Sequence, residues 1–298
     1  MKTIDYIDVL DAFKAFDIHT KRYTEKNKEW LSWKYFHTLD VVKTGFEIIQ
    51  KEKILAEMSE ESHKRMERSL LFHDIARSKQ MMPNGCMIPH FVHGAEGMQM
   101  LLEKGEQDIS VLSSVLVHDQ LTMNFLEEQE HILKQDIVFQ KLPELVQKSV
   151  LTINQSYQSL SDKEKLFVRQ TCFLVKDADT LSNILNYQQL LKIEKNTDIF
   201  HITPAVWKAV SERQYVSYKN VATFLDKILV YMAWTWHFYY EATIRILWQS
   251  DILNHMKEYV LFEMKHNGYT NRVVEIDVLL KELIDNIRQF HEVKVKHH

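Results

Sequence analysis

The chain has 298 residues, 45% of them hydrophobic and 26% charged, with a net charge of −4. That is enough apolar material for a sizeable core, in one large domain or two small ones, and too little positive charge to make the whole chain a trap for nucleic acid. Its two cysteines, Cys86 and Cys172, fall outside any C-x-x-C spacing, which argues against a disulfide framework or cysteine-based zinc site and for a reducing, cytoplasmic setting.

Six glycines and four prolines predict long helices rather than turn-rich strands, and the hydrophobic period is helical nearly throughout. The first predicted helix covers about 4–16, where acids interrupt the apolar stretch as they would not in a signal peptide. The second covers about 28–50 and carries Trp30, Trp33, Tyr35, Phe36, Val41, Val42 and Phe46. The third, about 61–79, ends before Met82-Pro83-Asn84-Gly85, which opens a loop to about 92. Further helices start near His93 and near Ser110. Short helices around Pro143 and a polar loop over 154–159 follow. Ser161-Asp162-Lys163-Glu164 is a capping-box pattern opening a helix to about 195, and Thr203-Pro204 is an N-cap with proline at the first helical position. One long helix or a broken pair covers about 217–266, closed by Gly268, and a last helix fills about 271–292. The stretch 224–249 is the most hydrophobic, yet Asp226, Lys227, His237, Glu241 and Arg245 within it mark a core helix rather than a bilayer span. The predicted organisation is an N-terminal segment (1–27), a core (28–195) and a C-terminal helical region (196–298) packed on it.

Several ionisable residues sit inside apolar helical context: His37, His73-Asp74, His93, His118, Asp177 and Asp179. Each costs several kcal/mol to bury unless paired, hydrogen-bonded or bound to metal. Brought together from separate elements, they could satisfy one another on one or two divalent cations, and imidazole with carboxylate suits Fe, Mn, Zn, Co or Ni. A single histidine of this kind is more often a core or surface residue, and a lone His-Asp pair is weak evidence. This chain has two such pairs, His73-Asp74 and His118-Asp119. Taking the second as the centre leaves His131 and His201 as the downstream ligands, in polar or loop context. The first gives the better register. The terminal His297-His298 are left out of the ligand set.

The ordered set His37, His73-Asp74, His93, His118, Asp179 resembles the HD superfamily of metal-dependent phosphohydrolases. The resemblance extends to Arg77-Ser78-Lys79-Gln80 after the doublet, to His93-Gly94-Ala95-Glu96-Gly97 opening a helix of small residues, and to Lys176-Asp177-Ala178-Asp179. It covers about 37–190, and less specifically the region from Leu225 onward. Departures are Ala76 where glycine is usual and Asp119 where asparagine or histidine is common.

The resemblance implies an all-α, HD-domain (phosphodiesterase-like) helical bundle with additional C-terminal helices. It implies that His37, His73, Asp74 and Asp179 form the primary metal site, with Asp179 preferred to Asp177, and that His93 and His118 complete a second. The implied reaction is hydrolysis of a phosphate monoester or diester by a metal-activated water, with a small phosphorylated substrate and nucleotides among the candidates. Asp74 is the shared catalytic carboxylate. Arg77 is a phosphate contact or a salt-bridge partner. Lys176, Gln80 and Asn183 are weaker candidates, each with a plain surface role as the alternative. The aromatic run Trp234, Trp236, Phe238, Tyr239, Tyr240 reads as core, with His237 a candidate supporting group. Two other functions stay open: a dinuclear-iron oxygenase on the same ligands, and a non-catalytic metal- or nucleotide-binding sensor.

Overall fold

The computed structural model describes residues 25–80, 88, 91–119, 121–188, 201–214, 216 and 220–296. The predicted helix at 4–16, Met82-Pro83-Asn84-Gly85, Cys86 and the terminal histidines lie outside them. Among the described residues every regular element is helical, so the fold is all-α. The chain divides into two compact units, one up to Ala178 and one from Asp179. No helix among the described residues is long and apolar enough to cross a membrane.

In the first unit, α1 (Glu25–Lys51) packs on α2 (Lys53–Ala56) and α3 (Glu60–Phe72). Helix α3 starts where Ser59 accepts the Ser62 amide and Glu60 and Glu61 fill the first turn, a favourable arrangement at the positive helix end. The third helix is shorter than the sequence predicts. It stops at Phe72, His73 and Asp74 make a turn, and Ile75–Lys79 continues as a 3-10 stretch. Asp74 leaves helical geometry at φ −104°, ψ 17°.

Helix α4 (His93–Glu103) packs on α5 (Ile109–Val117) and on the 3-10 stretch. Asp108 caps α5 by accepting the Ser110 amide, and Arg65 grips the same carboxylate with Nε at 2.6 Å and Nη2 at 3.0 Å. Short helices α6 (Asn124–Glu127), α7 (Glu130–Leu133) and α8 (Ile137–Gln140) lead to α9 (Glu144–Gln158). The polar loop expected at 154–159 is therefore mostly helix. Asn154 is buried, and its Nδ2 donates to the carbonyls of Phe125, Leu126 and Glu128 at 3.0–3.1 Å. Its polarity serves the inside of the fold, not solvent. Val111, Leu112, Val115, Leu116, Val150 and Ile153 fill the core between α5 and α9. Helix α10 (Asp162–Leu185) begins at the capping box foreseen at Ser161 and Glu164, and the division between units falls within it.

The second unit holds α11 (Pro204–Ser211), α12 (Phe224–Trp234), α13 (Glu241–Gln249), α14 (Ile252–His266) and α15 (Val273–Lys296). Between 220 and 266 there are thus three α-helices, where the sequence predicted one long helix or a broken pair. Buried Asp226 completes a capping box with Thr223 and also accepts from the Thr203 and Ala222 amides. The chain turns at Asp251 (φ +53°) and Gly268 (φ +82°). Trp236, Phe238 and Tyr240 are buried as predicted, whereas Tyr239 is exposed. His237 also faces solvent.

Candidate metal centre

Four elements of the first unit bring His37, His73, Asp74, His93 and His118 together. Helix α1 supplies His37, the turn after α3 supplies His73 and Asp74, the start of α4 supplies His93, and the end of α5 supplies His118. All five are at least 96% buried. Their ligand atoms form two groups, His37–His73–Asp74 and Asp74–His93–His118, each with all atoms within 4.8 Å of one another. The buried cluster could hold a metal ion.

The two His-Asp doublets perform the same local task. Each histidine caps the C-terminus of its helix, and its Nδ1 donates to the carbonyl three residues back, His73 to Leu70 and His118 to Val115, both at 2.7 Å. A carbonyl can only accept, so the proton of each neutral ring lies on Nδ1 and the Nε2 lone pair faces the cluster. The electronegative ends of α3 and α5 point the same way, which favours a cation. The doublets are therefore complementary rather than rival centres. His118 reaches Asp74 Oδ1 at 3.5 Å, while Asp119 Oδ2 stands 2.8 Å from His93 Nδ1.

That last contact orients His93. A carboxylate beside Nδ1 keeps the proton there and turns Nε2 inward, the usual support for a ligating imidazole. His93 Nε2 then meets His118 Nε2 at 3.0 Å and Asp74 Oδ1 at 3.1 Å. Three electron-rich atoms converging this closely repel unless a proton or a cation lies among them. Two imidazole nitrogens and a carboxylate oxygen are a transition-metal donor set, so the residues present fit a metal.

Close packing makes this approach possible. A Cβ on Gly94 would come within 2.7 Å of the Leu116 carbonyl oxygen and 2.8 Å of that of Val115. Only glycine lets the start of α4 lie against the end of α5, which carries His93 to His118. On the other side, His37 stacks on Trp33 (5.4 Å between ring centroids) and meets His73 edge to face at 5.7 Å.

Asp74 is the hub. Its Oδ2 lies 3.7 Å from His73 Nε2 and accepts from Lys34 Nζ at 2.9 Å. Its Oδ1 faces His93 and His118 and accepts from Arg77 Nε at 2.9 Å. Burial opposes ionisation of Asp74, but Arg77 and Lys34 outweigh it and hold the carboxyl well below the usual carboxylate range. Burial likewise opposes the Asp119 carboxylate, and His93, with smaller help from Arg77 and His118, pulls it below its ordinary value.

Arg77 thus occupies the salt-bridge role among its two predicted ones, with Nη1 donating to Gln80 at 2.7 Å. Asp177 is buried in the first unit. Asp179 opens the second unit, where Asn183 Nδ2 donates to its carbonyl and Oδ1 at 3.0 Å. Lys176 is half-buried. It lines a cavity of about 220 Å³ with Val117, Thr122, Met123, Asn124, Cys172 and Phe173.

Two contributors escaped the sequence. Lys34 is buried and paired with Asp74. The signal for it was its place one turn before His37 on the same helix face. Asp119 was visible as half of a rival His-Asp pair and as a departure from a pattern, but not as the carboxylate that stands against His93.

The chain matches no family model, no curated protein and no solved structure.

Proposed function

We propose that the chain is a metal-dependent phosphohydrolase acting on a small phosphorylated substrate, with nucleotides among the candidates. The observation that carries this reading is the division of the Asp74 carboxylate, one oxygen toward His73 and the other toward His93 and His118. A carboxylate shared between two ligand groups is suited to a dinuclear site. His37, His73 and Asp74 would hold one ion, and Asp74, His93 and His118 the other. Fe, Mn, Zn, Co and Ni all suit these donors. Bound there, divalent ions would supply a nucleophile from water at neutral pH and polarise a phosphoryl oxygen.

The chain's own residues complete the case. His73 and His118 are held in the tautomer that presents Nε2, and Asp119 sets His93 the same way. Lys34 and Arg77 balance Asp74 and Asp119 with the imidazoles neutral. Divalent charge added to a balanced site leaves it net positive, which suits a phosphate anion. Arg77, with 19% of its side chain exposed, can turn from Asp74 to a substrate oxygen and grip it as a planar fork.

The test is metal analysis of the purified protein, then a phosphatase and phosphodiesterase panel with the metal found, run without oxygen. Phosphate release is expected. Oxygen consumption with a mixed-valent iron signal would replace this reading with an oxygenase. Metal and nucleotide binding with no turnover across the panel would replace it with a sensor.

A further inference from the structure

Each half of the centre already contains a cation on the Asp74 oxygen it would offer to metal. Lys34 sits on Oδ2, the oxygen nearer His73, and Arg77 sits on Oδ1, the oxygen nearer His93 and His118. The two cations are not equally easy to move. Arg77 is partly exposed and has Gln80 as a second partner, so it can swing toward water. Lys34 has 8% of its side chain exposed and stands over the Trp33 ring at 4.6 Å. Taking a buried ammonium off its carboxylate leaves a charge that is costly to keep, though the indole face offsets part of that.

We propose that Lys34 is an internal rival of the second metal ion. The Asp74–His93–His118 group fills first, because only Arg77 must yield. The His37–His73–Asp74 group fills second and more weakly, because its ion must displace Lys34 from Oδ2. Lys34 thereby sets how many ions the site carries at a given metal concentration. This rests on the proposed metal-centre reading.

Equilibrium dialysis of the full chain against Mn²⁺ or Zn²⁺, with elemental analysis, tests it without any assay of activity. Two classes of binding are expected in the unaltered protein. Lys34→Met keeps the apolar stem against Trp33 and removes the charge. It is expected to tighten the weaker class at least about ten-fold, the low end for a close buried charge pair, and to leave the tighter class unchanged. Lys34→Gln, which keeps a hydrogen-bond donor, should act in the same direction, and His37→Ala should abolish the weaker class alone. A second ion seen only in the Lys34 variants also supports the proposal. Unchanged or weakened binding in both Lys34 variants, with helical content intact, overturns it while leaving the metal centre standing. Absence of metal from every form overturns both.

Discussion

His73 and His118 show how single residues build this centre. Each spends one ring nitrogen on a helix-end carbonyl and keeps the other for the cluster. His37, His73, Asp74, His93 and His118 were legible in the sequence because a buried ionisable group in an apolar helix is an anomaly that needs a partner. Lys34 was not, because lysine is ordinary on a helix and its burial depends on Asp74, forty positions away. Asp119→Asn should lower metal affinity by about ten- to a hundred-fold, since the orienting carboxylate of His93 is lost. Metal titration checks this, and affinity equal to that of the unaltered protein would count against the assigned role.

At the scale of elements, the capping box at Ser161 and the proline after Thr203 marked true helix starts, because both are local chemistry; the Thr203 hydroxyl itself makes no cap and donates to Asp226. The early end of α3 and the length of α9 were hidden for the opposite reason. The turn at His73-Asp74 accompanies contacts with α1, α4 and α5, and Asn154 looks like a loop residue until α6 supplies the carbonyls it satisfies. Asn154→Ala should cost on the order of 2 kcal/mol, because those carbonyls lose their donor. Denaturant unfolding measures it. Gly94→Ala should destabilise by a similar amount, roughly 1–3 kcal/mol, as its methyl meets two backbone oxygens. It should also weaken metal binding by drawing His93 from His118. A stable Gly94→Ala variant with full affinity would contradict the packing argument.

At the scale of the whole molecule, the all-α class followed from scarce glycine and proline and an unbroken helical period. The division at Ala178 and Asp179 did not, since it falls inside a continuous helix with no linker composition. The second unit carries its own acid sensitivity. His291 on α15 accepts from Trp248 Nε1 at 3.1 Å and pairs through Nε2 with the Thr235 carbonyl at 2.8 Å. Burial, with Lys294 nearby and against the Thr235 bond, lowers its pKa from 6.5 to about 4. The unfolded chain therefore takes up the proton first. Stability from this residue is complete above about pH 6.5 and falls as pH drops toward about 4, by as much as about 3 kcal/mol. Denaturant unfolding followed by circular dichroism across that range should show the loss, and His291→Leu should flatten it.

The most direct test of the account is the metal content of the protein as purified, beside that of a His73→Ala, Asp74→Ala double variant. The account predicts bound transition metal in the first, and in the second loss of the metal together with phosphate release. Full metal content in the double variant, with its helical content intact, would contradict it.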